Sequence, residues 1–104
     1  MAEPVVSRER VDFGRINNAA VAVMPALCRR WLPDGKQCGK EWVARNPTRA
    51  DGKPGSFSIN MGTGKWSDFA TGDRGGDPVS LAAYLFHSND QIAAAHAVKG
   101  MLGL

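Results

Sequence analysis

From Ser56 to Met61 the side chains alternate without interruption: Phe57, Ile59 and Met61 are apolar, while Ser56, Ser58 and Asn60 are polar. A period of two marks a β-strand with one face on a core and the other on water. Gly62-Thr63-Gly64 follows, and then Lys65-Trp66-Ser67-Asp68-Phe69, a spacing that suits a tight hairpin between antiparallel strands. Upstream, from Lys40, Trp42 and Ala44 alternate with Glu41, Val43 and Arg45 until Asn46-Pro47 stops the run. The stretch Thr48 to Gly55, with Asp51-Gly52 and Pro54-Gly55, reads as turns. Three antiparallel strands are the economical reading of this central region.

Helices are expected on both sides. Asp12 is placed to cap a helix whose apolar positions Ile16, Ala20, Val23 and Leu27 recur at helical spacing. Pro25 removes a backbone donor, so the spacing predicts two short helices, about 13–23 and 26–31, or one bent one, ended by Pro33-Asp34-Gly35. After the glycine-dense turn Thr71 to Gly76, Asp77-Pro78 starts a helix to about His87, with Val79, Ala82, Ala83, Leu85 and Phe86 on its apolar face. Ser88-Asn89-Asp90-Gln91 reads as a capping box opening a last helix with Ile92, Ala95 and Val98 inward, ended by Gly100 and Gly103. The expected fold is α+β: a small three-stranded antiparallel sheet with an N-terminal helical segment and a C-terminal helical hairpin. Residues 1–39 form an extension packed with 40–104 as a single domain.

At 104 residues and 43% apolar, the chain has material for one core. Its longest apolar run, Ala19 to Leu27, is broken by Pro25 and too short to cross a bilayer. Met1 to Arg10 lack the basic start and apolar middle of a secretory signal, so a cytoplasmic location away from membranes is expected. Cys28 and Cys38 are then free thiols. The formal charge of +3 is mild, but it is unevenly spread. Between residues 29 and 53, Arg29, Arg30, Lys36, Lys40, Arg45, Arg49 and Lys53 face only Asp34, Glu41 and Asp51, with Trp31 and Trp42 among them. Such a stretch is either a solvated loop region or a surface for a polyanion.

Enzymatic constellations are absent from the spacing. Cys28, Cys38, His87 and His96 match a zinc site in number, but their separations are too wide for ligand pairs from single turns. The apolar reading of Cys28 and helix-flank positions for the histidines are preferred. The turn Gly72 to Gly76 has the form of a phosphate loop, but Asp73 and Asp77 oppose an anion and no Lys follows. Pro33-Asp34 with Asp51-Gly52-Lys53 matches a metal-dependent nuclease pattern only literally, since both segments read as flexible turns. No catalytic residue, metal or cofactor is expected. What remains is a basic segment beside aromatic residues and a sheet, the composition of surfaces that hold phosphates with Lys and Arg and stack bases on rings. Trp42 and Trp66 are possible stacking platforms, and the rival reading of each is core.

Four motifs in order, Trp42-Val43-Ala44-Arg45-Asn46-Pro47, Lys53-Pro54-Gly55-Ser56-Phe57-Ser58-Ile59, Trp66-Ser67-Asp68-Phe69 and Gly75-Gly76-Asp77-Pro78-Val79-Ser80-Leu81, resemble the N-terminal zinc-ribbon domain of bacterial DNA primases. The resemblance covers about residues 40–102. It departs where that family holds zinc: Asn46 and Arg49 stand for the first ligand pair, and Asp68 to Gly72 replaces Cys-x2-Cys. The chain therefore resembles a zinc-less variant of the kind found in phage- and plasmid-type primase or helicase proteins. In such a variant Asn46, Arg49, Asp51 and Asp68 replace the metal with hydrogen bonds and an ion pair, or Arg45 and Arg49 are exposed for nucleic acid. Leu27, Trp31 and Leu32 would supply added core. The resemblance implies recognition of single-stranded DNA, or RNA, without catalysis, alongside a primase or helicase protein. Its candidate contacts are Lys40, Arg45, Arg49, Lys53, Lys65 and Arg74 on phosphates, with Trp42 or Trp66 stacking. The alternative is a protein-interaction module of a replication or mobile-element system that has lost DNA binding.

Overall fold

The computed structural model describes residues 11–50 and 55–104. Asp12 caps helix α1 (Phe13–Val21), its carboxylate accepting from the Arg15 amide at 3.0 Å. Pro25 does not bend this helix. It falls in the first turn of a separate helix, α2 (Met24–Trp31), where a missing N–H costs no helical bond. The chain then runs through strands β1 (Lys36–Cys38), β2 (Glu41–Ala44), β3 (Phe57–Asn60), β4 (Trp66–Asp68) and β5 (Arg74–Gly75) before helices α3 (Pro78–Phe86) and α4 (Gln91–Leu102).

The sheet is an antiparallel meander in the order β1-β2-β3-β4-β5. It has five strands rather than the three expected, and the two additions lie at its edges. Neither carries a period-two signal. All three residues of β1 are exposed, and β5 is only two residues long, drawn from the glycine-rich turn. Backbone pairing creates both: Lys36 lies opposite Val43, and Arg74 opposite Ser67. The rings of the neighbouring strands explain why glycine flanks these edges. A Cβ on Gly35 would overlap the Trp42 indole, and one on Gly75 would overlap the Trp66 indole and Ser80 Oγ.

Alternation decides which face is buried. Trp42, Ala44, Phe57, Ile59, Trp66 and Asp68 point inward toward the helices, while Glu41, Val43, Ser58, Asn60 and Ser67 point outward and are half-buried. One buried cluster joins Ile16, Met24, Leu27, Trp31 and Leu32 of the N-terminal segment to Phe57, Ile59, Leu81, Ala83 and Val98. Trp42 Nε1 donates to the Leu32 carbonyl at 3.0 Å, and Trp66 Nε1 to Ser80 Oγ at 3.0 Å, so each indole is buried with its polar atom satisfied.

Two helix details differ from expectation. Asp90, not Ser88, caps α4, accepting from the Ala93 amide at 3.0 Å, because Ser88 and Asn89 take left-handed φ values of 51° and 66° to reverse the chain. Gly100 lies within α4, which ends at left-handed Gly103. At the start of α3 the reading from Asp77-Pro78 is met by a reciprocal capping box with Ser80. No helix among the described residues is long and apolar enough to cross a membrane.

Candidate nucleic-acid interface

The outward residues of the sheet fall into rows across the strands. Cα pairing links Lys36, Val43, Ser58, Ser67 and Arg74 in one row spanning all five strands, with a cation at each edge and hydroxyls near the centre. A second row pairs Glu41 with Asn60, and Lys65 follows it through the bond from the Asn60 amide to the Lys65 carbonyl at 2.7 Å. At the other end of β4 the Phe69 amide donates to the Ser56 carbonyl at 2.9 Å. That pairing sends the Phe69 ring outward, 79% exposed. A shallow, open depression of about 790 Å³ covers this face, with Ser58, Asn60, Lys65, Phe69 and Arg74 among its walls.

Lys36, Lys65 and Arg74 are exposed here, and Arg45 continues the outward alternation beyond β2. The result is a cationic face with one free ring, hydroxyl and amide groups between the charges, and Glu41 as its only carboxylate among the described strands. Asp73, although close in sequence to Arg74, turns away: its Oδ2 accepts from the Tyr84 hydroxyl at 2.7 Å.

The expected contacts divide into four groups, the last being Arg49. Arg45, Lys65 and Arg74 share the sheet face, and Lys40 is exposed at the β1–β2 turn. Lys53 lies outside the described residues, as does Asp51. Trp42 and Trp66 are buried to 7% and 6% exposure, so their faces are closed to a base; the stacking role read for them is corrected to a core role. The ring that is open, Phe69, was not singled out from the sequence, although a signal for it exists. It is three residues from Trp66, an odd step along a strand, so an inward Trp66 requires an outward Phe69.

Arg49 is engaged elsewhere. Its Nε donates to Asp68 Oδ2 at 3.0 Å, and its Nη2 to Ser56 Oγ at 3.0 Å and Asp68 Oδ1 at 3.3 Å. Asp68, 0% exposed, also accepts from Asn46 Nδ2 at 2.8 Å and from the Ala70 amide at 2.9 Å. Asn46 Nδ2 reaches the Tyr84 hydroxyl at 2.8 Å as well, while its Oδ1 accepts from the Thr48 amide at 2.9 Å and the Thr48 hydroxyl at 2.7 Å. Burial pushes the Asp68 carboxyl up. The hydrogen bonds from Arg49, Asn46, Ala70 and Ser56 outweigh it and hold the group well below the usual carboxylate range. Asn46, Arg49 and Asp68 thus meet in one polar knot that ties the β2–β3 segment to β4 and, through Tyr84, to α3.

No family model, curated protein or solved structure matches this chain. The thiols and imidazoles are dispersed: Cys28 is buried in α2, Cys38 is exposed in β1, His87 ends α3 and His96 is exposed on α4. Among the described residues no group of three or more His, Cys, Asp or Glu is placed to hold a metal ion.

Proposed function

We propose that this chain is a non-catalytic module that binds single-stranded nucleic acid, DNA in the first instance, across the outer face of its sheet. The observation that carries the reading is Phe69, a 79% exposed ring on a sheet face bordered by Lys36, Arg45, Lys65 and Arg74. A single exposed ring is ordinary on a protein surface, and what sets Phe69 apart is the row of cations around it. A base stacked on it, with the flanking cations on successive phosphates, is the chemistry such faces perform, and each stack contributes about 1–3 kcal/mol. The likeness to the primase ribbon supports the same substrate and a place in a primase- or helicase-containing replication system. In that account the knot of Asn46, Arg49 and Asp68 stands where the family holds zinc.

The test is binding of a fluorescent oligonucleotide at two salt concentrations, comparing wild type with an Arg45→Ala/Phe69→Ala/Arg74→Ala variant. Three or four phosphate contacts on a single strand imply a log–log salt slope of about −2 to −3. The variant is expected to lose most of the affinity and to show a shallower slope. Absence of binding by wild type at low salt would end this reading.

A second reading, a protein-interaction module, draws on a different surface. Phe86, expected inward, is 55% exposed and packs edge-on against Trp31 at a centroid distance of 6.0 Å. With Met101 it borders a groove of about 360 Å³ over Ala82 and Val98. Association that is insensitive to salt and lost in Phe86→Ser would favour this reading.

A further inference from the structure

Glu41 is out of place on a face that holds phosphates. It is the only carboxylate among the outward-facing residues of the described strands, half-buried at the first position of β2, where it repels a polyanion. Its side chain has no hydrogen bond or ion pair with any described residue, so no internal partner accounts for the carboxylate.

Directly opposite it on β3 is Asn60. The orientation of this amide is fixed: Asn60 Oδ1 accepts from the Gly62 amide at 2.8 Å and from the Thr63 amide at 3.1 Å, closing the β3–β4 turn. The Nδ2 group is thereby left as the free donor, with no acceptor among the described residues. Both residues border the open depression on the sheet face. A carboxylate with two accepting oxygens and an amide with a free N–H therefore stand side by side.

The geometry points to a base-reading subsite for guanine, an inference that rests on the nucleic-acid reading above. Guanine is the base whose Watson–Crick edge presents two adjacent donors, N1–H and N2–H, beside one acceptor, O6. The donors match the Glu41 carboxylate as a bidentate pair, and O6 matches the Asn60 N–H. Adenine offers one donor and an acceptor at N1 that faces the carboxylate unfavourably. Thymine offers a single donor between two acceptors, and cytosine a single donor beside two. Desolvated pairs of this kind discriminate because the wrong base leaves the carboxylate unpaired. The subsite is separate from the ring. Asn60 lies four residues along the chain from Ser56, the partner of Phe69, or about 13 Å at the usual strand rise, so the base read by Glu41 is not the one stacked on Phe69.

The test uses the whole chain and labelled octamers of thymine with one central dG, inosine or dA, titrated by anisotropy at fixed salt. Wild type is expected to bind the dG octamer about tenfold more tightly than the dA octamer, with inosine, which lacks the N2 amino group, between them. E41Q, checked for an unchanged near-ultraviolet spectrum, should cut the dG-over-dA preference to about twofold or less, since its amide keeps only one accepting oxygen for the two guanine donors. Equal wild-type affinity for all octamers overturns the guanine subsite and leaves the nucleic-acid reading standing. A preference that stays near tenfold in E41Q overturns the assignment to Glu41. No binding of any octamer overturns both.

Discussion

Replacing Asp68 with Asn keeps the shape of the side chain and removes its charge, which isolates what the buried carboxylate does. In the native protein its two oxygens accept from Asn46 Nδ2, Arg49 Nε and Nη2, and the Ala70 amide. An amide has one accepting oxygen. Whichever way it is turned, its NH2 group meets two donors: Asn46 and Arg49 Nε at one position, Arg49 Nη2 and Ala70 at the other. Arg49, 28% exposed, is able to recover part of the loss in water, but Asn46, at 1%, is not. Breaking a buried pair costs about 3–5 kcal/mol, and the partial exposure of Arg49 lowers the expectation to about 2–4 kcal/mol. Against a total of roughly 5–15 kcal/mol for a domain this size, that is a large fraction. Urea unfolding at pH 7, followed by tryptophan fluorescence, measures it. The pH dependence supplies a second check. The folded carboxyl titrates below its unfolded value of about 3.9, so its contribution is complete above that value and is lost as pH falls through the lower folded one. Asp68→Asn should remove that part of the acid sensitivity. A variant within about 0.5 kcal/mol of wild type at pH 7, or one with an unchanged acid profile, would refute the knot as a source of stability.

Two further perturbations test the packing. In scanning calorimetry, Gly75→Ala, which forces a Cβ into the Trp66 indole and Ser80 Oγ held together by a 3.0 Å hydrogen bond, should lower the thermal midpoint by the equivalent of about 1–3 kcal/mol; Gly76→Ala, which meets nothing within 4 Å, should leave it nearly unchanged. The Cys28 thiol is pushed up to about 12 by burial, against a smaller opposing pull from Arg29, whereas Cys38 is exposed. A disulfide reagent at pH 8 should therefore titrate one thiol rapidly in the native protein and the second only in denaturant; two rapid equivalents would contradict the packing of α2.

The elements legible in the sequence are those with a local cause. Phe57 and Ile59 alternate because one face of β3 is core, and Asp77-Pro78 starts α3 because a carboxylate and a fixed φ suit a helix N-terminus. The strands missed have only a non-local cause. Residues 36–38 alternate nothing, and become a strand because β2 leaves an unpaired edge beside them. Ser88 misled for a related reason. Ser, Asn and Asp are all competent caps, and the choice of Asp90 follows from the left-handed reversal at Ser88 and Asn89, which tertiary packing of α3 against α4 imposes.

For the candidate site, residue type was a poorer guide than parity. Seven basic side chains between residues 29 and 53 form one group in the sequence, yet Arg45 and Arg49 do different work. Arg45 continues an outward alternation and stays exposed, while Arg49 follows buried Asn46 around a turn and is captured by Asp68. The aromatic residues divide by the same rule: Trp42 and Trp66 occupy inward positions opposite Ile59, and Phe69, an odd step from Trp66, emerges on the far side. Parity also links the two halves of the molecule. Asp68 is inward because Phe69 is outward, so the same register that frees a ring for stacking delivers the carboxylate to Asn46 and Arg49. A one-residue slip of β4 would bury Phe69 and expose Asp68, dissolving the knot and the interface together.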